Sequence, residues 1–544
     1  MTRITFDPVT LEVLWTRLTA VVDEAATGLV RTSFSTIVRE SNDFACVLMD
    51  KDGDSVVQST LSIPSFLGTL PITCKHFIQR FPPAALKPGD ILMTNDPWLA
   101  TGHVPDVTMV TPLFYRDKLV AFAGCTAHMP DMGGRLRSPD STSAYEEGLR
   151  IPPSKLFIEG RPNEQLLDMI KANVRVSHLV LGDLMAQVTT NNIMGQSLVK
   201  VLEEYRLPGF DDLANTIKSR SEQAMRSAIS RVLAGVYADE IMVDGFDEPL
   251  RIACRINVKS DSVHVDYTGT SPAIPRGLNS VLNYTYAYTV YPLKCILNPN
   301  IPNNQGCFLP FTVWAPEGSL LNPLHPTPVG GRALTGHFLH AVVFGALSKA
   351  LPGRLPADSG CPLWLVTMAG KDDAGAPFSV TFFANGGQGA SPDRDGLSCV
   401  SFPSNISNTP VEILESIAPL RFEYKRIIPD SGGPGRFRGG ASQEVAVRIL
   451  AHEPVTAALM TDRVKFPARG RDGGLPGTRG LVKVNGEDVH PKLQRTLRCG
   501  DLLVLRTPGG GGSGDPLERE GWRVSRDIED GYVTREAAVR HYGL

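Results

Sequence analysis

Residues 89–129 read GDILMTNDPWLATGHVPDVTMVTPLFYRDKLVAFAGCTAHM. Two apolar, β-branched runs, VTMVTPLFY and LVAFAGCTAH, flank a tight Arg116-Asp117 turn, which predicts an antiparallel hairpin. GDILMTNDPW upstream reads as a strand running into a loop. Asp106 stands just before the first strand of the hairpin and His128 just after the second. The two ends of an antiparallel pair are neighbours, so these side chains come within reach of each other. His103 lies three residues upstream of Asp106, in the loop TGHVPD.

Outward from this block, DFACVLMD and SVVQS flank Asp52-Gly53, a second hairpin signal, and Asp43 opens its first strand. Two imidazoles and two carboxylates at strand ends make a site for one divalent metal, with Asp43, His103, Asp106 and His128 as ligands. Taken singly, each of the four fits a turn or cap. It is their expected convergence that points to a metal.

Asp7, Pro8 and the spacing of Leu11, Leu14, Leu18, Val21, Val22, Ala25 and Leu29 predict a helix over 8–34. Residues 160–245 switch to helical periodicity. From about 246 the pattern is strand-rich, interrupted by one helix near GHFLHAVVFGALSKAL, and the tail TREAAVRHYGL reads as helix. The expectation is a multi-lobed α+β fold: N-terminal β-hairpins with helices, a helical middle section and a β-rich C-terminal half. The expected division is 1–245 (metal-binding), 246–430 (β-rich) and 431–544 (β-rich with a terminal helix). At 544 residues, two to four lobes are the norm.

Charged residues are 20% of the chain and the formal net charge is −3, which gives no reason to expect a nucleic-acid partner. No apolar run is long enough for a membrane span, and the N-terminus lacks the pattern of a secretory signal. The nine cysteines are scattered, without a Cys-x-x-Cys pair, which suits a reducing cytoplasm rather than a disulfide scaffold. There is no P-loop. GGPGRFRGG and TPGGGGSGDP lack the lysine, and read as turns and close backbone approaches. His337 and His340, at helical spacing, read as cap or core residues. Ser197 and Lys200 fit a Ser-x-x-Lys pattern that arises often by chance.

Blocks along nearly the whole chain carry a resemblance: ESNDFACVLMDKDGDSVVQ, GDILMTNDPWLATGHVPDVTMVTP, GCTAHMPDMGG, EGLRIPPSKLF, DYTGTSPA, NPNIPNNQGCF, TPGGGGSGDP and DIEDGYVTREAAVRHYGL. The sequence resembles the hydantoinase B/oxoprolinase family, which includes N-methylhydantoinase, 5-oxoprolinase, a caprolactam-opening enzyme, and acetone and acetophenone carboxylases. The resemblance implies a metal site on the same four residues, with zinc, manganese or iron suited to the ligand set. It implies an ATP-binding partner of the hydantoinase A type, ATP bound by that partner, and hence a hetero-oligomer. The implied activity is ATP-dependent opening of a hydantoin, lactam or oxoproline ring, after the partner phosphorylates the amide. Asp131, in HMPDMGG, is the expected proton carrier, and Arg135 and Arg150 the expected phosphoryl contacts. Asn42 before Asp43 departs from the family pattern. Two alternatives stand beside this reading: a subunit of an acetone-type carboxylase, and a non-catalytic docking subunit.

Overall fold

The computed structural model describes residues 4–361 and 363–544. Helix α1 (Pro8–Thr32) starts where Asp7 accepts from the N–H groups of Val9 and Thr10, with Pro8 in its first turn. A short turn, α2 (Thr36–Arg39), leads into β1 (Phe44–Asp50) and β2 (Ser55–Gln58), and α3 (Thr69–Arg80) follows. Then come β3 (Ile91–Thr94), β4 (Asp106–Tyr115), β5 (Lys118–His128), β6 (Ser154–Ile158) and β7 (Arg161–Pro162). These strands form one sheet in the order β2-β1-β5-β4-β3-β6-β7. Both expected hairpins are present, and β1 pairs with β5, joining them edge to edge.

That sheet is covered on both faces. In β1, Phe44, Cys46 and Leu48 pack into a core with α1 and with α5 (Ser177–Glu204), which follows α4 (Glu164–Asn173). Ala45, Val47 and Met49 point to the other core. Two buried faces explain why β1 is apolar throughout and does not alternate.

The helical middle section ends with α6 (Asp211–Ile229), earlier than the expected 245. Residues 235–243 form β8 (Gly235–Val243), which pairs with β9 (Leu250–Val258); β10 (Val263–Asp266) and β11 (Phe311–Trp314) complete a second sheet. On β8, exposed and partly covered residues alternate, a strand pattern.

A second departure is α7 (Leu282–Leu297), a buried helix in the half expected to hold one helix, near 336–351. Its sequence, LNYTYAYTVYPLKCIL, is aromatic, β-branched and contains Pro292, so propensity argues against a helix. Burial of Tyr284, Tyr288, Val290 and Leu293 in the core they share with Ala45, Val47 and Met49 overrides it.

The C-terminal half adds a four-stranded and a five-stranded sheet that share one apolar core through Trp364, Val366, Val447 and Leu503. The α+β reading holds. Gly509–Gly512 threads between other backbones: a Cβ on Gly511 would stand 2.0 Å from the Arg469 carbonyl oxygen. This run is therefore a close backbone approach. No helix among the described residues is long and apolar enough to cross a membrane.

Candidate metal centre

The ladder between β4 and β5 sets Asp106 directly opposite His128. Asp106 Oδ1 accepts from His128 Nδ1 at 2.9 Å and lies 2.7 Å from His103 Nε2. The β1–β5 pairing places Phe44 opposite Ala127, and the His128 N–H donates to the Asp43 carbonyl at 3.1 Å. Asn42 holds a left-handed backbone (φ 57°) that turns the chain into β1, a conformation asparagine tolerates better than most residues. Asp43 Oδ2 then stands 3.9 Å from His128 Nδ1.

Ligand atoms of His103, Asp106 and His128 all lie within 4.8 Å of one another. Asp43 lines the same cavity, of ≈ 280 Å³, but stands outside that three-residue cluster. All four side chains are buried.

The far side of the cavity comes from distant sequence. Arg332 Nη2 donates to Asp106 Oδ2 at 2.6 Å, and its Nε donates to the Thr101 carbonyl at 2.7 Å. Its guanidinium lies over the Tyr284 ring, 3.7 Å from the centroid. The Tyr284 hydroxyl and His337 Nε2 share a hydrogen bond of 2.8 Å.

The electrostatics suit a cation. Burial alone would raise the Asp106 carboxyl, but His103 and Arg332 outweigh it and hold the group well below the usual carboxylate range. Burial pushes the Asp43 carboxyl up to about 6, against the pull of His128. Burial, reinforced by the charge of Arg332, drives the His103 imidazole well below its ordinary value, so it is neutral at pH 7, as a ligand must be. Neither ring nitrogen of His103 makes a well-aligned hydrogen bond, although both are buried. Such orphaned groups are costly unless something else engages them. The residues present therefore fit a divalent metal.

A family profile described as hydantoinase B/oxoprolinase matches residues 7–516. The chain belongs to the hydantoinase B/oxoprolinase family. Within it, the B component of a putative D-/L-hydantoinase from a Pseudomonas species is 32% identical, covering 99% of this chain and 95% of the relative. The beta chain of the Pseudomonas jessenii caprolactamase is 28% identical over 99% of this chain and 96% of its own. The crystal structure of the ATP-dependent caprolactamase from that organism superposes with a TM-score of 0.93 at 26% identity, covering 99% of this chain and 96% of that one. A nucleotide-free acetone carboxylase superposes at 0.90 with 20% identity, covering 99% and 79%, which shows a shared fold. The first two relatives are each named as one subunit of an enzyme.

A second, larger cavity adjoins the first; the two share His128 and Arg137. Asp131 lines the larger one. Arg175 holds both its oxygens, Nη1 on Oδ1 at 2.5 Å and the backbone N–H on Oδ2. Arg135 also lines it, paired with Asp140 at 3.0 Å and Glu146 at 3.3 Å. Arg150 lines neither cavity; it stands at a surface hollow beside Tyr145 and His325, 3.7 Å from Asp96.

Sequence reasoning missed Arg137, Arg332 and Tyr284 and set His337 aside as core. The last three come from around 180 to 235 residues beyond His103, in segments without a local motif, so no signal in the sequence linked them to the metal ligands.

Proposed function

We propose that this chain is the metal-dependent hydrolytic subunit of an ATP-dependent complex that opens cyclic amides. The observation that carries the reading is the buried convergence of His103, Asp106 and His128, with His103 Nδ1 left without a partner, beside a cavity lined by Asp131 and apolar side chains. The named activity of the caprolactamase relative supports the same reaction class.

His103, Asp106 and His128 would hold the ion, with Asp43 as fourth ligand from the wall of the same cavity. A divalent zinc, manganese or iron there would supply Lewis-acid chemistry and water of lowered pKa. The cost of burying the Asp43 carboxylate is one that a cation offsets. Asp131, on the wall of the larger cavity, accepts the proton that water loses on attacking the activated carbon; each of its oxygens keeps a lone pair beside the Arg175 bond. Val104, Met129, Met132 and Leu136 form apolar walls that exclude bulk water from the ring. A hydantoinase A-type partner binds ATP and phosphorylates the amide oxygen. All nine cysteines are free thiols, in keeping with a cytoplasmic setting.

The test is metal content by mass spectrometry and ATP-coupled ring opening, for wild type, His103→Ala and His128→Ala, each purified with the partner. About one metal per chain in wild type, lost with activity in both variants, supports the proposal. Metal-free wild type that still opens rings overturns it, and labelled bicarbonate entering the product moves the chain to the carboxylases.

A further inference from the structure

The two cavities meet at Arg137, and the state of its guanidinium is unusual. Its Nε donates to the Gly330 carbonyl at 3.2 Å. Among the described residues, no hydrogen bond or ion pair engages Nη1 or Nη2. Each neighbouring arginine is committed: Arg332 to Asp106, Arg175 to Asp131, and Arg135 to Asp140 and Glu146.

Burial pulls the Arg137 guanidinium down to about 10, and the like charge of Arg332 adds to the effect. A half-buried cation with one hydrogen bond and a cationic neighbour gains from an anion brought to its unengaged edge. The charges of Asp106 and Asp43 favour the guanidinium, but neither pairs with it directly: Asp106 is paired with Arg332, and Asp43 belongs to the proposed metal set. The open side of the guanidinium is its two-pronged edge, whose spacing matches two oxygens of a phosphoryl group.

We propose that Arg137 binds the phosphoryl group of the activated substrate, and the inorganic phosphate left after hydrolysis, at the junction of the two cavities. The inference rests on the hydrolytic reading of the site and takes from Arg135 and Arg150 the role expected of them. A phosphoryl group held here would lie between the proposed metal ligands and the larger cavity, with the ring directed toward the apolar walls.

The chain is purified with its partner as wild type, Arg137→Met and Arg137→Lys. Inorganic phosphate and, separately, acetate are titrated by calorimetry without ATP or cyclic amide, and metal content is measured on the same samples. Any phosphate site on the partner is common to all three proteins and drops out of the difference. The expected result is at least a tenfold loss of phosphate affinity in Arg137→Met with metal content unchanged, and weaker acetate binding throughout. Should Arg137→Met fail to assemble, Arg137→Lys decides: lacking the fork, it must weaken phosphate at least fivefold with assembly intact. Unchanged phosphate affinity overturns the inference, as does acetate binding as tightly as phosphate, or phosphate loss that tracks loss of metal. Ring opening by wild type is measured alongside. Activity with Arg137-independent phosphate binding sinks this inference alone. Arg137-dependent binding without any ring opening sinks the hydrolytic reading and leaves an anion site.

Discussion

Asp106 and Arg332, 226 residues apart, form a buried ion pair of 2.6 Å at the centre of the site. The same carboxylate accepts from Thr101 at 2.5 Å and from His128 at 2.9 Å. One side chain thus ties the hairpin to the C-terminal half of the chain and faces the proposed metal. Asp106→Asn leaves a buried guanidinium without its counter-charge, which costs ~3–5 kcal/mol when one partner of such a pair is removed. The expected outcome is a lower midpoint in urea denaturation together with loss of bound metal; a variant that keeps both would show that Asp106 is neither ligand nor anchor.

Chelation separates catalysis from assembly. The candidate metal ligands all belong to this chain, so under the proposed function a chelator is expected to abolish ring opening while the complex with the partner still elutes as one species. Adding back the divalent ion restores turnover. Dissociation on chelation would instead assign the metal to docking.

Asp131→Asn tests the proton carrier. The side chain lines the larger cavity and is absent from the three-residue candidate metal cluster. A fall in kcat of roughly 10²–10⁴-fold, the usual worth of a general base, with metal content unchanged is the expected result. Unaltered kcat would remove Asp131 from the reaction.

The glycine run offers a contrast in stability. Alanine at Gly511 would drive its Cβ into the Arg469 carbonyl, which is backbone and cannot swing aside. The expected loss is at the upper end of the ~1–3 kcal/mol typical of overpacking. Gly521, at the start of the helix Gly521–Glu529, has nothing within 4 Å of its Cβ position, and alanine there is expected to stabilise by ~0.5–1 kcal/mol. Thermal melts of the two variants read both signs.

Asp90 gives a pH dependence away from the site. Burial raises its carboxyl, but Lys155, at 2.6 Å, and the N–H groups of Glu159 and Lys87 outweigh that and leave it below its ordinary value. A carboxyl lowered on folding adds stability above its unfolded pKa of about 3.9, and that contribution is lost as pH falls through the folded value. Asp90→Asn should therefore be less stable than wild type at pH 7, with the gap closing below about pH 4. A gap constant from pH 7 to pH 3 would contradict the assignment.

Much of the site was legible because it is local. Turn chemistry at Arg116-Asp117 and two β-branched runs place Asp106 opposite His128 without further information, and His103 is three residues away. Asp43 was nominated but its position was not derivable. β1 is apolar throughout, so no alternation told which face or which neighbour it would take. The roles expected of Arg135 and Arg150 rested on residue type alone, and type does not reveal that both side chains are spent on carboxylates.

The sequence by itself determined the elements whose hydrogen bonds close over short spans: the capped first helix, the two hairpins, the family motifs and the Asp106–His128 pairing. Periodicity and turn residues encode these because each partner lies within a few turns or one ladder of the other. The tertiary structure alone decided that β1 joins β5, that LNYTYAYTVYPLKCIL is helical, and that Arg332, Tyr284 and His337 close the cavity around Asp106. Those outcomes follow from burial shared among segments hundreds of residues apart. Burial is a property of the packed whole, and it overrides the local preference of any one segment.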